Sequence, residues 1–198
     1  MSISSVKTGA VGVSLLAGNT FYDPAATFLI TRQTLSTTAS SVTFSSIPST
    51  YKHLQIRSLS RNENASIGNA NLLVRFNSDS GANYTRHYLR GNGSAATTTG
   101  SSSQTSVIVQ DGDLAYNTSS LFRAVSIIDI HDYASTTKYK TVRSFAGQDV
   151  NSGTAGVAVA LSSALWLDTT AITSITITSS TGSNLSAGST FALYGMVG

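Results

Sequence analysis

The residues whose types and spacing best suit chemistry lie together in residues 126–147, SIIDIHDYASTTKYKTVRSFAG. The stretch holds the densest cluster of ionisable side chains in the sequence: Asp129, His131, Asp132, Lys138, Lys140 and Arg143. In an extended strand, Asp129 and His131 point to the same face about 6.6 Å apart, which suits two ligands of one cation. Asp111 or Asp113 would have to supply further oxygen ligands.

A hairpin without chemistry explains the same residues. The stretch predicts two strands joined by a polar turn, so that Asp129 or Asp132 pairs across it with Lys138, Lys140 or Arg143. A metal site needs three or four ligands, and no spacing in the sequence guarantees them. The sequence therefore favours ion pairs within a scaffold hairpin over a cation site.

The first strand of that hairpin has the pattern of a core strand. Within residues 121–130, one face carries the apolar side chains of Phe122, Ala124, Ile128 and Ile130. Alternation of this kind predicts a strand with one buried face. We expect it near the centre of the core sheet.

Other catalytic patterns are missing from the sequence. There is no G-x-S-x-G elbow for a nucleophilic serine, and the basic neighbours of His53 and His87 oppose protonation of those rings. Glu63 is the only glutamate, and no aspartate is evidently paired with it as glycoside hydrolysis would need. Residues 91–93, GNG, lack the lysine and helix of a phosphate-binding loop. We expect no enzymatic activity, no cofactor and no bound metal.

Aromatic side chains offer a binding site of another kind. Tyrosine and tryptophan rings can stack on sugars or on partner proteins, although in sheets they more often pack half-buried between strands. The candidate stacking residues for a glycan or a partner are Tyr84, Tyr88, Tyr133 and Trp166.

The composition is typical of a strand-rich domain that works in assemblies. Ser and Thr make up roughly 30% of the 198 residues, and charged residues make up 11%, against about 25% in an average domain. A surface poor in charge resists association less. The net charge of +3 is scattered without a Lys/Arg run, so nucleic acid is not an expected partner. No apolar run approaches the ~20 residues of a membrane span, and no membrane contact is expected.

From Thr27 onward, apolar residues alternate with polar ones and are interrupted every 8 to 12 residues by Gly, Asn, Asp or Ser. This pattern predicts short antiparallel strands. They cover residues 27–32, 41–46, 52–61, 71–77, 84–90, 104–110, 121–130, 138–145, 156–167, 171–178 and 190–197. The sequence thus predicts an all-β, antiparallel, jelly-roll-like β-sandwich, with an up-and-down barrel as the alternative.

Three connections have distinctive sequences. Residues 77–81, NSDSG, predict the turn of a hairpin. Residues 91–103, GNGSAATTTGSSS, predict a mobile, exposed loop because such small residues bury little surface. Residues 111–113, DGD, predict a turn that carries two carboxylates.

An extended N-terminal arm, residues 1–26, is expected ahead of a single domain at residues 27–198. The arm has no steady period and ends at the turn signal Asp23-Pro24. It is too apolar to remain fully exposed to solvent, so we expect it to pack on a neighbouring subunit or to fold back on its own domain. A partly disordered tail is the alternative. Its candidate partner-binding residues are Val6, Val11, Val13, Leu15, Leu16, Phe21 and Tyr22.

Five segments resemble a group of tailed-bacteriophage virion proteins that includes head decoration (cement) proteins, minor structural proteins and tail-fibre domains. They are SIPSTYKHLQIRSLSR (46–61), LLVRFNSDSGANYTRHYLRGNGS (72–94), SIIDIHDYASTTKYKTVRSFAG (126–147), LWLDTTAITSITI (165–177) and STFALYGMVG (189–198). The resemblance implies a homotrimeric jelly-roll-like sandwich without enzymatic activity, and it carries no catalytic residues.

Among these virion proteins, the expected function is that of a trimeric capsid decoration protein on the capsid exterior. Its partners would be the major capsid protein and further copies of itself. The chain has no long repetitive shaft of the kind that a full tail fibre needs. A receptor- or glycan-binding module on the tail, facing the host surface, is the alternative.

Overall fold

The computed structural model describes residues 15–16, 19–20, 27–64, 68–115, 121–151 and 157–197. These residues contain no helix, and therefore no helix that could cross a membrane. The strands are β1 (Leu15–Leu16), β2 (Asn19–Thr20), β3 (Thr27–Thr34), β4 (Val42–Phe44), β5 (His53–Ser60), β6 (Gly68–Phe76), β7 (Tyr84–Gly91), β8 (Ala96–Gln104), β9 (Val107–Ala115), β10 (Ala124–Ile130), β11 (Lys140–Gln148), β12 (Ala158–Trp166), β13 (Ile175–Ser179) and β14 (Thr190–Met196). The short β1 and β2 pair only with each other.

The other strands form two packed antiparallel sheets. One has the order β3-β14-β5-β10-β11-β12-β7-β8, and the other has the order β4-β13-β6-β9. If β3, β4, β5, β6, β9, β10, β13 and β14 are numbered one to eight, the two orders contain 1-8-3-6 and 2-7-4-5. This is the strand order of a double-sheet jelly roll. The predicted all-β, jelly-roll-like sandwich is confirmed.

Four further strands widen one sheet beyond the jelly roll. The hairpin β7–β8 is inserted between β6 and β9, and β11–β12 is inserted between β10 and β13. The two hairpins meet at the β12–β7 pairing and extend the sheet outward from β10. With neighbouring strands about 4.8 Å apart, the edges of the wide sheet lie about 34 Å from each other.

The core lies between the sheets and follows the period of two. On β10, Ile128 and Ile130 are fully buried, whereas Ile127 is 39% exposed. The strand pairs with β5 on one side and β11 on the other, and so occupies the middle of the wide sheet as predicted. Its burial removes apolar surface from water, which is the main stabilising term of such a fold.

Small side chains line the inner face of the added strands. Ala146 on β11 and Ala160 and Ala164 on β12 are buried there, and β9 lies across β10, β11 and β12. Because alanine projects little from the sheet, a single strand can pack closely against three others without leaving a void. The narrow sheet thereby covers part of the extension through its edge strand.

The DGD segment is not a turn. Asp111 has φ of 53°, and the register between β6 and β9 shifts between Ala70 and Leu72, which marks an irregularity of the bulge type inside β9. The Asp-Gly pair tolerates the positive φ that bulges and turns both require, so its sequence signal does not distinguish them. The prediction of a turn at residues 111–113 was wrong.

Both carboxylates of that segment are buried with partners. Arg90 Nε donates to Asp111 Oδ2 at 2.6 Å. Ser60 Oγ and Asn62 Nδ2 donate to the two oxygens of Asp113 at 2.9 and 2.8 Å. A buried carboxylate needs such donors because it has lost its hydration.

The expected loop at residues 91–103 is also corrected. Residues from Ala96 onward belong to β8, which pairs with β7 over most of its length. Ladder hydrogen bonds join backbone groups, and a strand therefore needs no apolar side chains to add to a sheet. The expected exposure does hold, since the side chains of β8 are almost all exposed.

The prediction of a turn at residues 77–81 is confirmed, but the prediction that it closes a hairpin was wrong. The strands on either side, β6 and β7, belong to different sheets and do not pair with each other. Asn77 and Ser78 have φ of 51° and 60° and join β6 to β7. Asp79 then ties the turn to the core, because it accepts a 2.7 Å hydrogen bond from Trp166 Nε1 and one of 2.8 Å from the backbone N–H of Gly81. The Trp166 hydrogen bond is the main cause that lowers the pKa of Asp79.

The core assignment predicts a contrast between two β-strand positions. Ile128→Ala should lower the free energy of unfolding by about 2–5 kcal/mol, because it leaves a cavity at a fully buried site. Thr141→Ala, at an exposed position of the neighbouring strand, should change it by about 0.5 kcal/mol or less. Urea unfolding followed by circular dichroism measures both, and equal losses would contradict the assigned orientation of the sheet.

Candidate assembly surface

The most unusual surface is the outer face of the widened sheet. Seven large apolar side chains there are between 39% and 54% exposed: Leu59, Leu89, Val125, Ile127, Phe145, Val159 and Leu161. We call this set the apolar face. Single exposed apolar residues are ordinary, whereas a contiguous group of them marks a site of interaction.

Strand register makes the group contiguous. Ile127 lies opposite Phe145, Phe145 opposite Leu161, and Leu161 opposite Leu89, in a row that crosses β10, β11, β12 and β7. Leu59 lies opposite Val125 in the adjoining row. Side chains directly opposite each other are in contact range, so the row forms an unbroken apolar strip.

The apolar face is also hollow. A cavity of about 820 Å³ is bordered by Ile127 of β10 and by Thr98 of β8, with Phe145 and Leu161 between them. A second hollow of about 300 Å³ lies beside it against Val159. Since β10 and β8 border the same cavity across three intervening strands, the sheet curves toward its outer side. We call the two hollows together the groove.

One end of the groove is polar, and its carboxylate is paired with a guanidinium. Arg143 Nε donates to Asp129 Oδ2 at 2.9 Å, and Gln55 Nε2 donates to Asp129 Oδ1 at 2.8 Å. His87 lies over Gly100 of β8, where an added Cβ would come within 2.6 Å of its ring. The groove therefore presents a paired carboxylate, a guanidinium and an imidazole at one end, and aliphatic and aromatic carbon along its floor.

The hairpin that contains the densest cluster of ionisable residues forms ion pairs. Asp129 pairs with Arg143, as described, and Asp132 pairs with Lys138 at 3.0 Å and with Lys52 at 2.9 Å. The prediction of cross-hairpin pairing is confirmed for both aspartates. Across the described ranges, no three His, Cys, Asp or Glu side chains lie close enough together to hold a metal.

Lys140 behaves differently from its neighbours. It is fully buried, its Nζ lies 5.6 Å from the centre of the Trp166 ring, and it donates to the carbonyl oxygens of Lys138 and Asp168 at 3.0 and 3.3 Å. Burial lowers its pKa. It therefore belongs to the core instead of to the ion pairs of the hairpin tip.

Three of the four predicted stacking residues are inside the protein. Tyr84 and Tyr133 are fully buried and Trp166 is 1% exposed. Tyr84 and Trp166 stack on each other with ring centres 6.3 Å apart, and the Tyr133 hydroxyl donates to the Pro48 carbonyl. These three rings cannot reach an external ligand, because cross-strand packing has taken them into the core.

Tyr88 keeps part of its surface accessible, with the Arg86 guanidinium 4.5 Å above its ring. The predicted arm residues Val6, Val11, Val13, Phe21 and Tyr22 lie outside the described residues. For Leu15 and Leu16 only their backbone pairing in β1 is described.

Sequence reasoning missed the apolar face, although a signal for it was present. The segments AVSIIDI of β10 and AVALSSALW of β12 carry apolar residues at both parities, not on one face only. Such runs indicate a strand covered on both faces. The inner-face apolar residues alternate so regularly that they explained each strand by themselves, and the apolar residues of the outer face were overlooked.

Comparison with protein-family models, with curated protein sequences and with solved structures finds no match to the chain.

The hairpin tip predicts a pH-dependent contribution to stability. Hydrogen bonds from Lys52 and then Lys138 lower the pKa of Asp132 from 3.8 to about 2. A carboxyl whose folded pKa is depressed stabilises the fold above its unfolded pKa and loses that contribution as pH falls toward the folded pKa. Asp132→Asn should therefore lower the free energy of unfolding at pH 7 by about 1 kcal/mol or less, because both lysines are exposed, and the melting temperature should fall slightly with it.

The difference between wild type and Asp132→Asn should shrink between pH 4 and about pH 2. Melting curves of the two proteins, recorded in parallel across that interval, test this. A difference that stays constant with pH would contradict the assigned ion pairs.

Proposed function

We propose that the chain is a non-enzymatic structural subunit of a tailed-bacteriophage virion, acting as a homotrimeric capsid decoration protein. It would bind the major capsid protein on the capsid exterior and stabilise that lattice. The observation that carries this proposal is the apolar face, whose broad neutral surface suits permanent contact with protein. The resemblance of residues 46–61, 72–94 and 126–147 to virion proteins supplies the kind of assembly.

The charge distribution supports a role in assembly over one in catalysis. The Asp129–Arg143 pair neutralises itself at the border of the apolar face, so a protein that covers the face need not supply a compensating charge. The buried carboxylates Asp111 and Asp113 point inward to Arg90, Ser60 and Asn62 instead of into the groove. Interfaces in permanent complexes have this depleted charge and enriched apolar content.

A decoration protein binds a capsid through several identical contacts at once. Each subunit of a trimer can contact a different capsid subunit, and the second and third contacts then form at high effective concentration. Individually weak contacts suffice to hold such a trimer in place.

A second candidate is a receptor- or glycan-binding module on the tail. The groove favours it, since its volume of about 820 Å³ lies within the range of ligand sites. Copy number separates the candidates, because a decoration protein covers the whole head whereas a tail-tip protein is present in few copies. Quantitative mass spectrometry of purified virions gives that number.

Removing residues 1–26 should abolish co-sedimentation with purified capsids while the remaining domain stays folded, because the apolar arm is expected to supply contacts with neighbouring subunits. Circular dichroism and the melting temperature report on the fold, and full-length protein is the control. Undiminished capsid binding by the shortened chain would rule out this role for the arm.

Locating the protein in a reconstruction of the intact virion tests the proposed function itself. Density for the jelly roll at regular positions over the head is the expected result. Density only at the tail would support the second candidate, and the protein's absence from the virion would overturn both.

A further inference from the structure

The two edge strands of the wide sheet, β8 and β3, differ in sequence from the edge strands of most natural sheets. Among the described residues, β8 pairs only with β7, and its sequence ATTTGSSSQ has no charged residue and no proline. Natural sheets block such edges with charges, prolines, bulges or a covering segment. The one irregularity of the β7–β8 ladder lies between Tyr84 and Arg86, which leaves residues 96–101 in regular pairing. Within the described part of the chain, β8 thus offers an unpaired row of backbone donors and acceptors.

The opposite edge, β3, is apolar and also open. In the ranges that the structure describes it pairs only with β14, and its exposed residues include Phe28 at 37% and Leu29 at 56%. Ile30 packs against the core, so Leu29 points to the outer face, the side on which the groove lies. Arg32 is the only charged residue of β3, and neither edge strand contains a carboxylate.

These two edges cannot meet within one molecule. Seven strand spacings separate them, about 34 Å, and the strands between them are packed against the core. β3 can therefore lie beside β8 only if the two strands belong to different copies of the chain.

We propose that β3 of one copy pairs along β8 of the next copy and continues the wide sheet across the boundary between them. Strand addition of this kind obtains affinity from backbone hydrogen bonds and specificity from the side chains that flank them. Because the sheet curves toward its outer side around the groove, an added strand leans over the groove. Leu29 of the second copy then packs toward Phe145 and Leu161.

The contact is head-to-tail, since it joins different edges of the two copies. Repeated head-to-tail contacts close into a ring when the rotation fits, and otherwise give a filament. The inference rests on the proposed homotrimer and deepens it, because it assigns the surfaces through which three copies would close. It needs no capsid, and it can therefore fail while capsid binding stands.

Thiol cross-linking tests the contact directly, because the chain has no cysteine of its own. In full-length protein, Leu29→Cys combined with Thr98→Cys on β8 should give cross-links between chains, up to trimers, with a short bismaleimide. Each single variant, and the pair Leu29→Cys with Ser45→Cys, should give none. Ser45 is an exposed residue just after β4 of the other sheet.

The single variants also identify the competing arrangement. Dimers from Thr98→Cys alone would mean that β8 meets β8 across a two-fold axis, which would overturn the head-to-tail contact. Failure of the double variant to cross-link more than the Ser45 control would overturn it as well.

Oligomeric state gives an independent readout. Light scattering coupled to size exclusion should show trimers for the wild type and for Ser45→Asp, and monomers for both Leu29→Asp and Thr98→Asp, because a charge on either edge opposes strand pairing. Both replaced residues are exposed, so circular dichroism should be unchanged. A monomeric wild type, or trimers in both edge variants, would overturn the proposal.

Discussion

The architecture depends on the mismatch between an eight-stranded sheet and the four-stranded sheet that covers it. A sheet must bury one face, and the narrow sheet is too small to cover the whole inner face of the wide one. The alanines of β11 and β12 solve part of this problem, because they let β9 cross below the extension at close range. The bulge at Asp111 belongs to the same solution: it bends β9 and turns two carboxylates toward buried donors. Widening the sheet also created the apolar face, since every added strand contributes an outer surface that nothing in the chain's described residues covers.

The inserted hairpins explain how a jelly roll acquires a binding surface without disturbing its core. The eight jelly-roll strands keep their neighbours, and β7, β8, β11 and β12 are added past β10, where no core strand had to move. Their inner faces pack against the narrow sheet, partly through small residues such as Ala146 and Ala160, whereas their outer faces are free to vary. The site therefore lies on added strands and on the outer faces of β5 and β10 beside them, while stability rests on the sandwich beneath.

The fold was accessible from the sequence because alternation of apolar residues is a local signal. Ala124, Ile128 and Ile130 were each placed on the buried face by their spacing alone. Strand order was not accessible, since it depends on pairings between distant segments such as β12 with β7. The same limit explains the errors. β8 has no side-chain signal because its stability comes from backbone pairing, and Tyr84 and Trp166 were taken for surface rings because their burial depends on a stack between strands far apart in the chain.

The chain has a single tryptophan, Trp166. Its indole lies where the end of β12 meets the turn after β6. Trp166 ends β12, donates to Asp79 in the turn after β6, and lies below the Lys140 ammonium. An indole in a dry site between a carboxylate and a cation senses a strong local field. Its fluorescence spectrum is consequently a built-in reporter of one junction, the place where the inserted hairpins join the jelly roll.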